Sequence, residues 1–216
     1  MLRSWITTIV LLIGLAFSLL ILIPQVAAWR LPGNQQGFEP TQPLTYSHRL
    51  HAGELQIPCL YCHFGAESSR HAGIPPVNLC MNCHRSVTAP LAVVRMEEGA
   101  AKQEGRPPRR IVSPELRKLY DALGLDEALK PVRTAAPLEW VRVHTIPDFV
   151  YFDHRAHVTS GVTCQQCHGL IETMERVRQV ETLAMGWCVN CHRQVNQAGV
   201  SGRRVYASID CVTCHY

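Results

Sequence analysis

The sequence predicts short helices and long loops packed around bound cofactors, preceded by a single N-terminal transmembrane helix. Three observations predict it. All ten cysteines lie in five Cys-x-x-Cys-His motifs. Residues 6–23 are interrupted by only Thr7, Thr8, Gly14 and Ser18 in an otherwise strongly apolar run. Setting aside the first 30 of the 216 residues leaves 186, about 37 per motif, which is too few for regular layers between the motifs.

The five motifs decide the chemistry. They are Cys59-Leu60-Tyr61-Cys62-His63, Cys80-Met81-Asn82-Cys83-His84, Cys164-Gln165-Gln166-Cys167-His168, Cys188-Val189-Asn190-Cys191-His192 and Cys211-Val212-Thr213-Cys214-His215. Structural zinc and redox disulfides also use Cys-x-x-Cys pairs, but neither requires histidine directly after the second cysteine. With 11 histidines in 216 residues, five such histidines arise by composition alone on the order of once in three million. The pattern is that of covalent haem c attachment. Two thiols three positions apart on a helical turn reach the two vinyl groups on one edge of a haem, and the following imidazole becomes the proximal iron ligand. Five covalently bound haem c groups are therefore expected. Their thioethers come from Cys59, Cys62, Cys80, Cys83, Cys164, Cys167, Cys188, Cys191, Cys211 and Cys214, and their proximal ligands are His63, His84, His168, His192 and His215.

Composition narrows the function classes. Apolar residues make up 47% of the chain and charged residues 18%, which excludes long disorder, collagen-like repetition and a coiled coil. The formal charge of +4 is spread along the chain, and ten haem propionates more than offset it. Nucleic acid is accordingly not an expected partner.

No charge occurs between Arg3 and Arg30, and residues 6–23 rise about 27 Å as a helix, close to the thickness of a bilayer core. Trp5 and Trp29 bracket the run, as interfacial aromatics do. Val26-Ala27-Ala28 resembles a signal cleavage site, but the run exceeds the 7–15 residues of a usual signal core. A retained anchor over residues 1–30 is expected. Arg3 and Arg30 nearly cancel as topology signals, so orientation rests on haem c maturation outside the bacterial cytoplasmic membrane. The haem region then lies on the periplasmic side of that membrane, with residues 31–45 as a Pro/Gly/Gln-rich linker.

The rest of the chain is duplicated. Tyr46-Ser47-His48-Arg49-Leu50-His51 resembles Phe152-Asp153-His154-Arg155-Ala156-His157 at an offset of 106, and the paired haem motifs are offset by 105 and 108. Residues 46–85 form a first dihaem repeat. Residues 144–216 form a second repeat followed by the fifth haem motif. The intervening 86–143 carries no cysteine and reads as a linker with one short helix, capped by Ser113, opened by Pro114 and closed near Gly124. Its Arg106-Pro107-Pro108-Arg109-Arg110 segment cannot be helix interior. It reads as a solvated loop, or else as a contact for lipid headgroups or an acidic partner.

Six histidines remain for the opposite faces of the irons. The duplicated pairs, His48 with His51 and His154 with His157, stand before the first motif of each half and are the leading distal candidates. His71 and His144 follow, with Met185 and Met174 as thioether options that would raise a haem potential relative to a second histidine. Spacing alone does not pair ligands with haems. With no open coordination site indicated, no catalytic residue of its own is expected.

The chain resembles the membrane-anchored pentahaem cytochrome c subunit of bacterial alternative complex III, most specifically over residues 69–76, 143–158 and 186–193. The resemblance implies a class III, cytochrome c7-like multihaem arrangement. It also implies partners: an iron–sulfur protein, quinol-binding membrane subunits and a monohaem cytochrome c. Electrons from quinol would be relayed through the five haems to a periplasmic carrier or an oxidase in a respiratory chain. Two other readings stand beside it: a stand-alone membrane-anchored multihaem quinol dehydrogenase, and a multihaem enzyme of the nitrite-reductase kind. The last often carries lysine in place of a proximal histidine, and no motif here does.

Overall fold

The computed structural model describes residues 2–28 and 35–215. Trp29, Arg30 and positions 31–34 of the expected linker lie outside the described residues.

Helix α1 (Leu2–Ala28) is built from the apolar run, and its stretch Trp5–Ile23 is long and apolar enough to cross a membrane by length and composition. Pro24 lies near its C-terminal end, where only the last turn loses a backbone bond. None of the 19 side chains of that stretch is buried. A helix apolar on every side finds no partner in the folded body, the state of a membrane span or a signal segment.

Beyond α1, helices are short and each begins where local chemistry allows. Helix α2 (Cys59–Cys62) follows Pro58, and α3 (Val77–His84) follows Pro76, so both helices start directly after a proline in extended backbone. Helices α4 (Leu91–Gln103) and α5 (Pro114–Ala122) fill the segment between the halves. The Ser113 hydroxyl accepts from Leu116 N–H at 3.4 Å and Gly124 adopts φ +69°, so α5 has the cap and stop its sequence predicts. Helix α4 has no counterpart among the sequence expectations. It is pinned by Ala101, almost fully buried, and by Glu97, which bonds the Arg106 guanidinium at 2.5 Å and Arg109 N–H at 2.8 Å. Helices α6 (His154–Thr159), α7 (Gln165–His168), α8 (Met185–Ala198) and α9 (Cys211–Cys214) complete the chain. Among the described residues no strand forms, only isolated bridges such as Val150–His215.

A compact side-chain core forms among the described residues. Leu44, Met81, Val112, Leu119 and Tyr120 are buried together, with Val77, Leu116, Leu138 and Trp140 packed against them. The segment between the halves thus folds onto α3, and Tyr120 O–H donates to the His84 carbonyl at 2.6 Å. Around the remaining motifs, buried apolar side chains are sparse, which is how a body looks whose interior is shaped for a large apolar group.

Each half also holds the other. Arg155 N–H donates to Ser69 O, and Arg49 N–H donates to Met174 O at 2.9 Å. Ser69 and Met174 each lie between the two motifs of their own half. The turn Arg49–Glu54 packs on Ile171–Thr173, while α6 packs on the turn Phe64–Glu67. The duplicated units therefore sit reciprocally.

Candidate haem-binding sites

The motif helices place His63, His84, His168 and His215 at or just past a helix end and His192 within α8, and four of the five rings face a second imidazole. His63 faces His48 with ring centres 6.4 Å apart and planes 5° apart, and His168 faces His154 at 6.4 Å and 7°. His84 faces His51 at 6.1 Å, and His192 faces His157 at 6.1 Å, with planes turned by 63° and 33°. Two imidazoles coordinating one metal from opposite sides, each nitrogen about 2 Å away, put their ring centres roughly 6 Å apart. The donor set thus fits a haem iron between each pair. His48, whose ring faces His63, carries a buried Nδ1 without a protein partner, which fits a further group at this site.

The aromatic residue that begins each duplicated unit steers both of its histidines. Tyr46 meets His48 edge-on (4.9 Å, 85°) and stacks on His51 (4.4 Å, 24°), and Phe152 does the same to His154 (4.8 Å, 86°) and His157 (4.6 Å, 29°). His-x-x-His on one turn separates the two rings enough to enter different gaps. Hydrogen bonds fix the ring orientations. Nδ1 of His63 bonds Gly73 O at 2.7 Å, that of His84 bonds Val87 O at 2.8 Å, and that of His192 bonds Ser208 O at 2.5 Å. Gly73 supplies its carbonyl from φ +77°, a conformation a side chain would strain. On the facing side, His51 bonds Ser47 O, His157 bonds Asp153 O, and His154 reaches Arg70 O, each at 2.8 Å.

Burial keeps several of these rings uncharged, as ligation requires. It holds His48 down at about 4 and His168 at about 3, with neighbouring histidines adding to the effect. The motif cysteines also influence one another across the chain. Burial raises Cys62, and after it Cys80 does so. Cys164 is raised by burial and then by Cys59, to which it is hydrogen-bonded. Burial followed by Cys191 pushes Cys167 up to about 11, and burial followed by Cys214 raises Cys188. Among the described residues, no three His, Cys, Asp or Glu side chains converge as a bare metal site would require.

The remaining sequence candidates fall in different places. His215 stacks with Phe149 at 5.9 Å, but Val150 pairs directly with His215, so that ring comes from adjacent backbone rather than from across a gap. Among the described residues no second imidazole faces His215 as in the other four pairs. His71 is exposed and lies beside Arg70, whose guanidinium covers the Tyr151 ring at 4.6 Å. Tyr151 N–H in turn donates to Cys214 O at 2.7 Å. Met185 opens α8 and is exposed, and Met174 lends its carbonyl to Arg49. His144 stands edge-on to His168, 4.3 Å between centres, with its Nε2 3.2 Å from His168 Nδ1. Sequence reasoning missed the roles of Arg70 and Gly73, because a backbone carbonyl partner leaves no residue-type signature.

Residues 150–216 match the family model described as cytochrome c7 and related cytochrome c. The chain is also similar to the menaquinone reductase, multiheme cytochrome c subunit, of Nitratidesulfovibrio vulgaris (strain Hildenborough), with 24% identity over 196 residues, covering 81% of this chain and 76% of that relative. The fold is the helix-and-loop fold of a multihaem cytochrome c, and the cytochrome c7 match implies covalently bound c-type haem.

Proposed function

We propose that this chain is an electron-relay subunit of a membrane quinol-oxidising complex of the alternative complex III kind, holding five haem c groups on the periplasmic side. The observation that carries the proposal is the common spacing of four histidine pairs, 6.1–6.4 Å. In it, His63 pairs with His48, His84 with His51, His168 with His154 and His192 with His157. The ten motif cysteines form the thioethers. His215 is the fifth proximal ligand, and its distal partner comes from His71, Met174 or Met185.

Bound haem c supplies reversible one-electron storage at its iron. The chain's own residues do the rest. A histidine on each side of a site leaves no position for a substrate, which favours relay over turnover. The hydrogen-bonded Nδ1 atoms hold the rings in fixed orientations, so ligation need not rearrange when charge arrives. The first and third motifs stand side by side, with Cys164 hydrogen-bonded to Cys59, so the His63 and His168 sites adjoin where the two halves meet. Helix α1 anchors one end of the chain to the membrane, and quinol-binding subunits, an iron–sulfur protein and a monohaem cytochrome c complete the complex.

The similarity to a menaquinone reductase subunit favours a second reading, a relay carrying electrons toward quinone rather than away from it. Purification of the complex in mild detergent separates the cases. Pyridine-haemochrome analysis is expected to give five covalent haems per chain. The intact complex is expected to oxidise quinol with a soluble acceptor, whereas the isolated chain does not. Quinol oxidation by the isolated chain at the membrane rate would overturn the relay, and quinone reduction by the complex alone would select the second reading.

A further inference from the structure

Three of the five motif histidines fix their rings through a backbone carbonyl; among the described residues, His168 alone of the five bonds a side chain. We propose that His144 is a positioning residue for the His168 site, accepting a hydrogen bond from His168 Nδ1 and strengthening that imidazole as an iron ligand. This rests on the proposed ligation by His168. An imidazole that turns Nε2 toward an iron carries its proton on Nδ1, so His168 is the donor and His144 Nε2 the acceptor across their 3.2 Å separation. Donation from Nδ1 raises the basicity of a ligating histidine, which favours the oxidised over the reduced metal and lowers its potential.

His144 is held for this task. Both polar atoms of the Gln42 side chain clamp the backbone of Val141, three residues upstream: Nε2 donates to Val141 O and Oε1 accepts from Val141 N–H, each at 2.9 Å. Leu138 and Trp140 pack into the compact core beside Leu44. The approach from this side is edge-on, whereas His154 faces the same ring in parallel at 6.4 Å. His144 therefore stands beside the ligand, not across the site from it. The location matters because the His168 motif lies where the halves meet: its Cys164 is hydrogen-bonded to Cys59 of the first half, and the facing His154 bonds Arg70 O. A change in its potential acts at the junction between the two halves.

Potentiometric titration of the full chain, followed optically and by EPR, tests the assignment. In His144→Phe one of the five steps is expected to move to higher potential, with covalent haem content unchanged and every previously low-spin centre still low-spin. His144→Gln, whose amide oxygen can accept the same bond, is expected to return the step toward its parent position. Superimposable curves for parent and His144→Phe overturn the proposal, as do equal shifts in both variants. A new high-spin haem in His144→Phe also overturns it, since His144 would then be an axial ligand. If His144→Phe does not assemble, Gln42→Ala, which frees Val141, is expected to shift the same step in the same direction, and an unshifted curve there overturns the proposal. A parent without covalent haem would instead refute the haem assignment on which it rests.

Discussion

The carbonyl oxygen of Arg70, in the first half of the chain, accepts a hydrogen bond from ring nitrogen Nδ1 of His154, in the second, at 2.8 Å. The same carbonyl also takes the His154 backbone N–H at 3.2 Å. A histidine assigned to the distal side of one site is thus oriented by a loop that follows the motif of another. On the opposite side, Met174 O takes Arg49 N–H, but His48 Nδ1 finds no protein acceptor. The duplicated halves clasp each other, and the symmetry breaks at one ring nitrogen.

This clasp predicts a sensitivity at Gly53. A Cβ placed there would drive into the Glu172 carbonyl, part of the second half's turn. The Gly53→Ala variant is expected to lose about 1–3 kcal/mol, the usual cost of overpacking against backbone. Thermal denaturation of the haem-loaded chain should register a lower Tm, and an unchanged Tm would show that the two turns separate freely.

Removing a facing histidine should open one site without stripping it. In the proposed arrangement the thioethers and His168 remain in His154→Ala, so covalent haem per chain is expected to stay constant. One centre is expected to become high-spin and to bind carbon monoxide. A fully low-spin EPR spectrum for this variant would disprove the pairing of His154 with His168.

The side-chain core depends on Tyr120, almost fully buried and bonded to the His84 carbonyl. Truncation in Tyr120→Ala is expected to cost about 3–5 kcal/mol. Tyr120→Phe loses only the hydroxyl bond, about 1 kcal/mol. Denaturant unfolding distinguishes the two, and the ordering reverses only if the hydroxyl outweighs the ring.

Acid should loosen the segment between the halves. The Arg106 guanidinium first, and then the Arg109 N–H, hold the Glu97 carboxyl well below its ordinary 4.5, at about 2. Because the folded value is the lower one, the contribution is complete above pH about 4.5 and is lost as pH falls toward about 2. Hydrogen exchange across α4 is expected to accelerate over that window in the parent, whereas Glu97→Gln should exchange faster already at neutral pH and lose the pH dependence.

Replacing residues 1–30 with a cleavable export signal is expected to release a soluble chain with all its haem attached. Aggregation of that product, with haem content intact, would mean that α1 has a packing role in the folded body.

The anchor-length helix and the capped start of α5 were legible in sequence, because each is written in residue type at short, fixed spacing. An apolar run is a composition, and Ser113-Pro114 starts a helix by its own hydrogen bonding and fixed φ. Helix α4 was less legible: its ends lack capping side chains, and the Glu97–Arg106 contact that pins it closes only after the chain turns back.

Which histidine ring faces which was decided by tertiary structure. Sequence supplied six spare histidines and two methionines without saying which ring meets which. His48 and His63 face each other because Tyr46 sets the direction of one ring and Gly73 O that of the other, and those constraints meet only when the loops close. His144 makes the same point: by residue type it stands as one more iron ligand, yet a Gln42 side chain 99 positions from Val141 helps set it beside His168. Residue type determines which atoms can bind iron, whereas backbone hydrogen bonds between distant segments decide where each one points.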